Sequence, residues 1–298
     1  MSDTANSGTK AAFVSVVGRP SAGKSTLVNA LCGGKISIVS PVPQTTKNTV
    51  RGIKNDARGQ LVFLDTPGIH DSDKRLNQRL RDLAVGSLGE ADLILYLVDA
   101  SREAGAEEEA IASLLAPFAA KTIACVNKTD LREADSKRAR AFVAERLPDA
   151  PVLELSALKG DGLGALADAL FARAPEGPAW YPAEYYTDQE PVFRIAEIVR
   201  EKVLLHGREE VPHSVFVRFV DAQRKDDGSL VYTAELVVER ESQKGILIGK
   251  GGEMIRTIRE EAERDLASIF DYEVRLSLRV AVQKDWRKDD KLIKKLYY

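Results

Sequence analysis

The sequence predicts an α/β domain built on a doubly wound, mostly parallel sheet, followed by a smaller α+β domain. Three observations predict it. Short runs rich in Val, Ile and Leu alternate with longer helical patterns from residue 13 to 174, the pattern of strands covered on both faces by crossover helices. The run Ala174-Pro175-Glu176-Gly177-Pro178-Ala179-Trp180-Tyr181-Pro182 then breaks that rhythm. Beyond it the order becomes a helix, two alternating strands, a long helical stretch and a last strand. The boundaries expected are a disordered tail over 1–10, the α/β domain over 11–174, a linker over 175–190 and the α+β domain over 191–298, ending in a helix.

Strands are expected at 13–17, 60–65, 93–99, 122–127 and 152–155, each a short apolar run. Helices are expected at 26–31, 76–90, 107–115, 136–147 and 163–171, where apolar residues recur at helical spacing. In the second domain a helix at 192–205 precedes strands at 214–221 and 230–239, joined by the turn Lys225-Asp226-Asp227-Gly228, and a strand closes the domain at 272–282. Residues 207–212, with Glu209 and Glu210, read as a plain connector.

Composition excludes several classes of function. The chain has 298 residues, 44% hydrophobic and 30% charged, enough for two soluble domains. A net charge of −2 gives no global basicity, so any nucleic-acid contact must depend on a local patch. Cys32 and Cys125 lie far apart in apolar segments and read as buried reduced thiols, which suits a cytoplasmic protein. The N-terminus lacks the apolar core of a signal peptide, and no apolar run approaches the roughly 20 residues needed to span a bilayer, so membrane contact is expected to be peripheral at most. His70, His206 and His213 are scattered and match no catalytic or metal-ligand spacing.

The run Gly18-Arg19-Pro20-Ser21-Ala22-Gly23-Lys24-Ser25 sits between the first strand and the first helix, which opens at Thr26. It fits G-x-x-x-x-G-K-[ST], a loop that aims backbone N–H groups and a helix N-terminus at a phosphate. Lys24 can reach the β- and γ-phosphates and the Ser25 hydroxyl can ligate Mg²⁺. Asp65-Thr66-Pro67-Gly68 ends the next apolar strand; Asp65 can hold the Mg²⁺ shell through water and the Gly68 N–H can meet a γ-phosphate. Asn127-Lys128-Thr129-Asp130 closes a later strand. The Asp130 carboxylate matches the N1–H and exocyclic amine of guanine, Lys128 can lay its stem over the base, and Asn127 can tie the loops together. Ser156-Ala157 follows the last strand and offers the Ala157 N–H to guanine O6.

In the second domain Gly249-Lys250-Gly251-Gly252 fits G-x-x-G between two helical stretches, preceded by Ile248 and followed by Met254, Ile255 and Ile258 at core spacing. Lys244, Lys250 and Arg256, with Arg240 and Arg259, flank the loop. The basic C-terminal run from Lys284 to Lys295 reads equally as a phosphate-binding patch or as a solvated amphipathic helix with Trp286, Leu292, Ile293 and Leu296 packed inward.

The ordered motifs resemble the translation-factor-related GTPases, and within them the bacterial Era family. The resemblance rests on Gly18-Arg19-Pro20, Gln44-Thr45-Thr46-Lys47, Asp65-Thr66-Pro67-Gly68-Ile69-His70 and Asn127-Lys128-Thr129-Asp130. The second domain looks like a type II KH domain, whose G-x-x-G loop clamps single-stranded nucleic acid, and it extends the likeness over nearly the whole chain. The resemblance implies a GTPase domain with GTP or GDP and Mg²⁺ as ligands, and a switch at 44–47 in which Thr45 or Thr46, preferably Thr46, joins the metal. It implies slow hydrolysis with no side chain as acid or base: Lys24, Gly68 and Thr46 support the transition state. Ile69, where Ras-like enzymes use Gln to orient water, acts as a shield or spacer. Family phosphate loops usually carry Asn at Ser21, and in some relatives that Asn helps bind K⁺, so weak K⁺ dependence is expected. The implied partners are the 3′ end of 16S ribosomal RNA and the 30S subunit, with the chain a monomer and a peripheral contact at the inner membrane open. The competing reading is a non-catalytic RNA-binding assembly factor that uses GTP only as a structural ligand.

Overall fold

The computed structural model describes residues 8–69, 75–207, 211–212 and 214–297. His70, Glu209, Glu210, His213 and most of the polar N-terminal tail lie outside them. The chain divides into two compact units: residues 1–37, 46–188 and 297–298 form the first, residues 38–45 and 189–296 the second.

The first unit runs β1 (Lys10–Gly18), α1 (Lys24–Cys32), β2 (Val50–Asp56), β3 (Gly59–Asp65), α2 (Arg75–Glu90), β4 (Leu93–Asp99), α3 (Ala106–Leu115), β5 (Thr122–Asn127), α4 (Ser136–Arg146), β6 (Val152–Glu154) and α5 (Leu163–Arg173). The sheet order is β2-β3-β1-β4-β5-β6. Every pairing is parallel except β2 with β3, which is antiparallel from Val50↔Asp65 to Asp56↔Gly59. All residues of β4 and β5 are buried, as central strands covered on both faces require. Asp135 caps α4 by accepting the Arg138 N–H at 3.0 Å, and the Gly105 N–H that opens α3 donates to Glu108 at 3.0 Å. The carboxyl ends of β1, β3, β4 and β5 therefore lie side by side, where ligands bind in such sheets.

Strand β2 has no counterpart among the expected strands. It is an edge strand whose sequence, VRGIKND, alternates too weakly to announce itself. Its outer edge is covered by the segment read as a linker. The Ile53 N–H donates to Tyr186 O at 2.9 Å and Gly52 bridges Thr187. Gln60, buried in β3, accepts the N–H groups of Trp180 and Tyr181 and donates to Tyr181 O. Residues 175–188 thus belong to the first unit, and their prolines shape an extended strap rather than a free chain. An edge with unpaired N–H and C=O groups explains the strap.

The second unit runs α6 (Pro191–His206), β7 (Phe216–Arg224), β8 (Leu230–Val238), α7 (Glu241–Ile248), α8 (Glu253–Ala267), β9 (Val274–Val282) and α9 (Asp290–Leu296). Strands β7 and β8 form the expected antiparallel hairpin, with a bulge between Phe219 and Asp221, and β9 joins β8 in parallel. Ile258, Ala262 and Leu266, four residues apart on α8, and Ile195 and Val199 on α6 meet Tyr232, Ala234 and Leu236 of β8 in one core. Trp286 and Ile293 are buried and Leu292 and Leu296 half-buried, so the tail packs as the amphipathic reading has it. Residues 38–45 are the departure from the expected boundaries. Ile38 enters this core and the Val39 N–H donates to Glu201 at 2.8 Å.

Candidate functional site

The phosphate loop follows β1 and opens α1. Gly23 stands at φ 99°, and a Cβ there would lie 2.4 Å from Asn127 Nδ2, so this position requires glycine on both counts. Gly23 supplies no side-chain cap, which leaves the first N–H groups of α1 for an anion. Lys24 is buried, and its ammonium donates to the carbonyls of Gly18 at 3.1 Å and Arg19 at 3.0 Å, folding back over the loop. Ser21 is exposed at φ 63°. The Arg19 side chain turns to Asp99 and Glu108, so Arg19 offers the phosphates only its backbone.

Desolvation pulls the Lys24 ammonium down to about 8, against the attraction of Asp65 and Glu107. Phosphate charge beside it favours the protonated form, so binding takes up a proton above pH 8. Affinity for GDP is expected to fall about twofold from about pH 7 to 8 and about fivefold over the next pH unit. Titrations across that range check it; a flat profile would contradict the placement of Lys24 against phosphate.

Residues fit for a divalent cation converge next to this lysine. Ser25 Oγ and Thr46 Oγ1 are 2.8 Å apart. Asp65 is fully buried, and neither carboxylate oxygen receives a hydrogen bond of good geometry among the described residues. Burial drives its pKa up, while the Ser37 and Ser25 hydroxyls, the Lys24 charge and Thr46 pull it back. A buried carboxylate short of donors is costly, and a hard cation removes the cost. Two hydroxyls and a carboxylate are hard oxygen donors of the kind that would hold Mg²⁺. Thr45 is engaged elsewhere: its hydroxyl donates to Val42 O at 2.6 Å and meets Ser40 Oγ, so the geometry favours Thr46 of the pair. Gln44 stands at φ 61°, and Lys47 is buried with its ammonium over the Tyr297 ring.

The Thr66 hydroxyl donates to Val16 O and the Ile69 N–H to Gly18 O at 3.3 Å, which brings 66–69 against the phosphate loop. The Ile69 side chain packs into the apolar core with Val17, Ala84 and Leu88. Ile69 is buried in this cluster, with a side chain that offers no hydrogen bond to water.

The base-recognition residues meet at the ends of β5 and β6. Asn127 Nδ2 donates to Ala22 O at 2.8 Å and its Oδ1 accepts the Ala157 N–H at 3.0 Å, tying three loops together. The Ala157 N–H is thus already engaged and would have to be shared with guanine O6. Ser156 Oγ donates to Asp130 Oδ1 at 2.6 Å, which fixes the exposed carboxylate and leaves Oδ2 for a base edge. Lys128 holds the left-handed conformation at φ 66°, a strain typical of functional loops, and its ammonium is 2.7 Å from Asp99. Asp99 was not singled out in the sequence, although a carboxylate at the carboxyl end of a central strand is the signal that marked Asp65.

In the second unit Gly249, Gly251 and Gly252 all have positive φ, at 73°, 60° and 78°, turning α7 into α8. A groove of about 320 Å³ runs beside the loop, lined by Gly252, Ile255, Arg256, Arg259, Leu276, Ser277 and Leu278. Lys250 is exposed at the loop tip. Ile248 and Lys244 lie on α7 and do not line the groove; Lys244 reaches Glu241 at 4.0 Å. Arg259 and the β9 residues complete the groove instead. The spacing 252, 255, 256, 259 puts these residues on one face, which is why Arg259, already named beside the loop, joins Arg256 in the groove.

Known proteins share this arrangement. A model of the 50S ribosome-binding GTPase family matches residues 13–128, and a KH-domain model matches 210–287. GTPase Era of Treponema denticola is 47% identical over 289 residues, covering 96% of this chain and 98% of its own. GTPase Era of Borreliella burgdorferi is 43% identical, covering 96% and 99%. Among solved structures, an alanine variant of Aquifex aeolicus Era bound to GDP·AlF4⁻ superposes with a TM-score of 0.92 at 35% identity, over 97% of this chain and 99% of that one. Era in complex with MgGDPNP and nucleotides 1506–1542 of 16S ribosomal RNA gives 0.92 at 35%, over 97% and 98%.

Proposed function

The chain belongs to the Era family of GTPases, and from that premise we propose that it is a slow GTP-driven switch that binds the 3′ end of 16S ribosomal RNA through its KH domain and acts in maturation of the 30S subunit. One observation carries the reading: a guanine-nucleotide pocket tied together by Asn127 and a G-x-x-G groove lined by Arg256 and Arg259 occur in the same chain. The solved relative that holds MgGDPNP and a 16S ribosomal RNA fragment supports both ligands at once.

Each residue then has a task. Lys24 and the open N-terminus of α1 hold the β- and γ-phosphates, and Asp130 reads the base edge. Ser25 and Thr46 would hold Mg²⁺ directly and Asp65 through water, and the ion would neutralise phosphate charge. No side chain is assigned as acid or base in this reading, and hydrolysis relies on Lys24, the Gly68 N–H and Thr46 stabilising charge. That makes it slow, and Ser21 in place of Asn makes K⁺ dependence weak. Residues 38–45, directly before Thr46, are built into the second unit's core. Release of Thr46 on hydrolysis therefore reaches that core through the chain itself.

The protein is cytoplasmic and monomeric in this reading. Two unbonded cysteines, whose thiols burial raises to about 12, support a reducing compartment. No helix among the described residues is long and apolar enough to cross a membrane, so a contact with the inner membrane would be peripheral. Single-turnover hydrolysis of bound GTP with 30S particles present tests the switch. GTP that persists for days would favour the rival reading, a non-catalytic factor that keeps GTP as a structural ligand. Crosslinking in cells followed by sequencing of the attached RNA tests the partner; a dominant transfer-RNA or messenger-RNA signal would overturn it.

A further inference from the structure

A partly buried ionic cluster links the phosphate loop to the base-recognition motif, and none of the motif chemistry accounts for it. Its centre is Asp99, the last residue of β4, whose side chain is 1% exposed. In the sheet β4 lies between β1 and β5, so Asp99 stands between the strand that feeds the phosphate loop and the strand that feeds Asn127 and Lys128. Asp99 Oδ2 takes the Lys128 ammonium at 2.7 Å and the Arg19 guanidinium at 3.3 Å. Asp99 Oδ1 accepts the Ser101 N–H at 3.0 Å and the Ser101 hydroxyl at 2.6 Å. Arg19 is held on its other side by Glu108 at 2.9 Å. Two cations and two carboxylates thus form a closed set, and every oxygen of the Asp99 carboxylate is engaged.

The consequence for Lys128 is specific. Its backbone is pinned in the left-handed region and its tip is pinned on Asp99. The four-carbon stem is therefore stretched between two fixed points beside Asp130, instead of sampling rotamers. A free lysine loses rotamer entropy on being ordered; here that ordering is met before a base arrives. Burial pushes Asp99 toward neutrality, but its Lys128 hydrogen bond, the Ser101 hydrogen bonds and the Lys128 charge hold its pKa below the usual value, so the tether is ionic at neutral pH.

We propose that Asp99 is a positioning residue for guanine binding: it stretches the Lys128 stem across the base site and braces Arg19 of the phosphate loop through the same carboxylate. Asp99 touches no nucleotide. It adds to the residence time of guanine nucleotides without contributing to the choice of base, which stays with Asp130. The assignment rests on the guanine-nucleotide site described above, and binding of mant-GDP to the unaltered protein tests that site separately.

The experiment is a double-mutant cycle on the full chain, read as the dissociation rate of mant-GDP. Asp99→Asn keeps the shape and removes the charge; Lys128→Met keeps an apolar stem and removes the tether. Each alone is expected to speed release about tenfold, and the double variant well short of the roughly hundredfold of independent effects, the small excess over either alone being the brace on Arg19. The preference for GDP over xanthosine diphosphate stays unchanged in Asp99→Asn. Equal acceleration by Asp99→Asn in the Lys128→Met background would show general loosening and overturn the proposal, as would release within about twofold of the unaltered rate. Should Asp99→Asn not fold, Ser101→Ala is read in the same cycle, since it frees Oδ1 and keeps the charge. It is expected to speed release severalfold only when Lys128 is present; the same effect in both backgrounds would overturn the assignment.

Discussion

Asp130→Asn is expected to turn a guanine site into a xanthine site. Guanine presents two donors, N1–H and the exocyclic amine, to one carboxylate; xanthine presents N1–H and a carbonyl. The amide that replaces the carboxylate would keep one acceptor and gain one donor, matching the second pattern and leaving a donor facing a donor in the first. Unpaired polar groups at a buried base edge discriminate strongly, so GTP affinity should fall by about 10²- to 10⁴-fold while xanthosine triphosphate affinity rises. Local geometry favours a clean result. Asp130 is exposed and makes one described side-chain bond, from Ser156 Oγ, which the amide oxygen of Asn can accept equally well. The fold therefore has no reason to respond. Competition of both triphosphates against mant-GDP measures the change; an unaltered preference would mean that another group reads the base.

Much of this pocket was legible because backbone chemistry fixes its residue types. A tight turn against phosphate needs glycines at 18 and 23, and a strand end needs a carboxylate at 65, whatever surrounds them. The two sheets were legible for a similar reason, since central strands such as β4 and β5 are apolar nearly throughout. What escaped was set by partners remote in sequence. Strand β2 is defined by its pairing with β3 and by the strap at 175–188, not by its own pattern. That strap looked like a linker because prolines mark both a free chain and an extended chain docked on an edge. Residues 38–45 sit in the second unit because Ile38 finds its core there, among residues from Ile195 onward. The Ala157 N–H carries no sign in its own sequence that Asn127 Oδ1, 30 residues away, also engages it. Asp99 escaped because its meaning lies in Arg19 and Lys128 together.

Replacing Lys250 and Gly251 together with aspartate is expected to weaken RNA binding about 100-fold and spare GTP. The G-x-x-G loop is proposed to work by close approach of phosphates to backbone and by the Lys250 charge. The double change makes the loop more negative by three charges. Repulsion on that scale, with one phosphate no longer paired to Lys250, should lower affinity for a single-stranded fragment of the 16S 3′ end by about 100-fold at about 0.1 M salt and flatten the salt dependence. Folding should survive. Lys250 is exposed, and a Cβ on Gly251 would meet nothing within 4 Å. Gly251 has φ 60°, a region that aspartate visits more readily than most residues. Gly249 is the contrasting position: a Cβ there would lie 2.7 Å from the Met254 Cβ, so a change at Gly249 would disturb α8 as well as the loop. The phosphate loop, Asp65 and the base motif all lie in the first unit, so nucleotide affinity should be unaltered. Filter binding with labelled RNA and mant-GDP titration on the same preparation read both arms. RNA affinity that persists would place the RNA somewhere other than the groove beside Arg256 and Arg259. Loss of both ligands would show a folding defect, and circular dichroism of the variant would then have to depart from that of the unaltered protein.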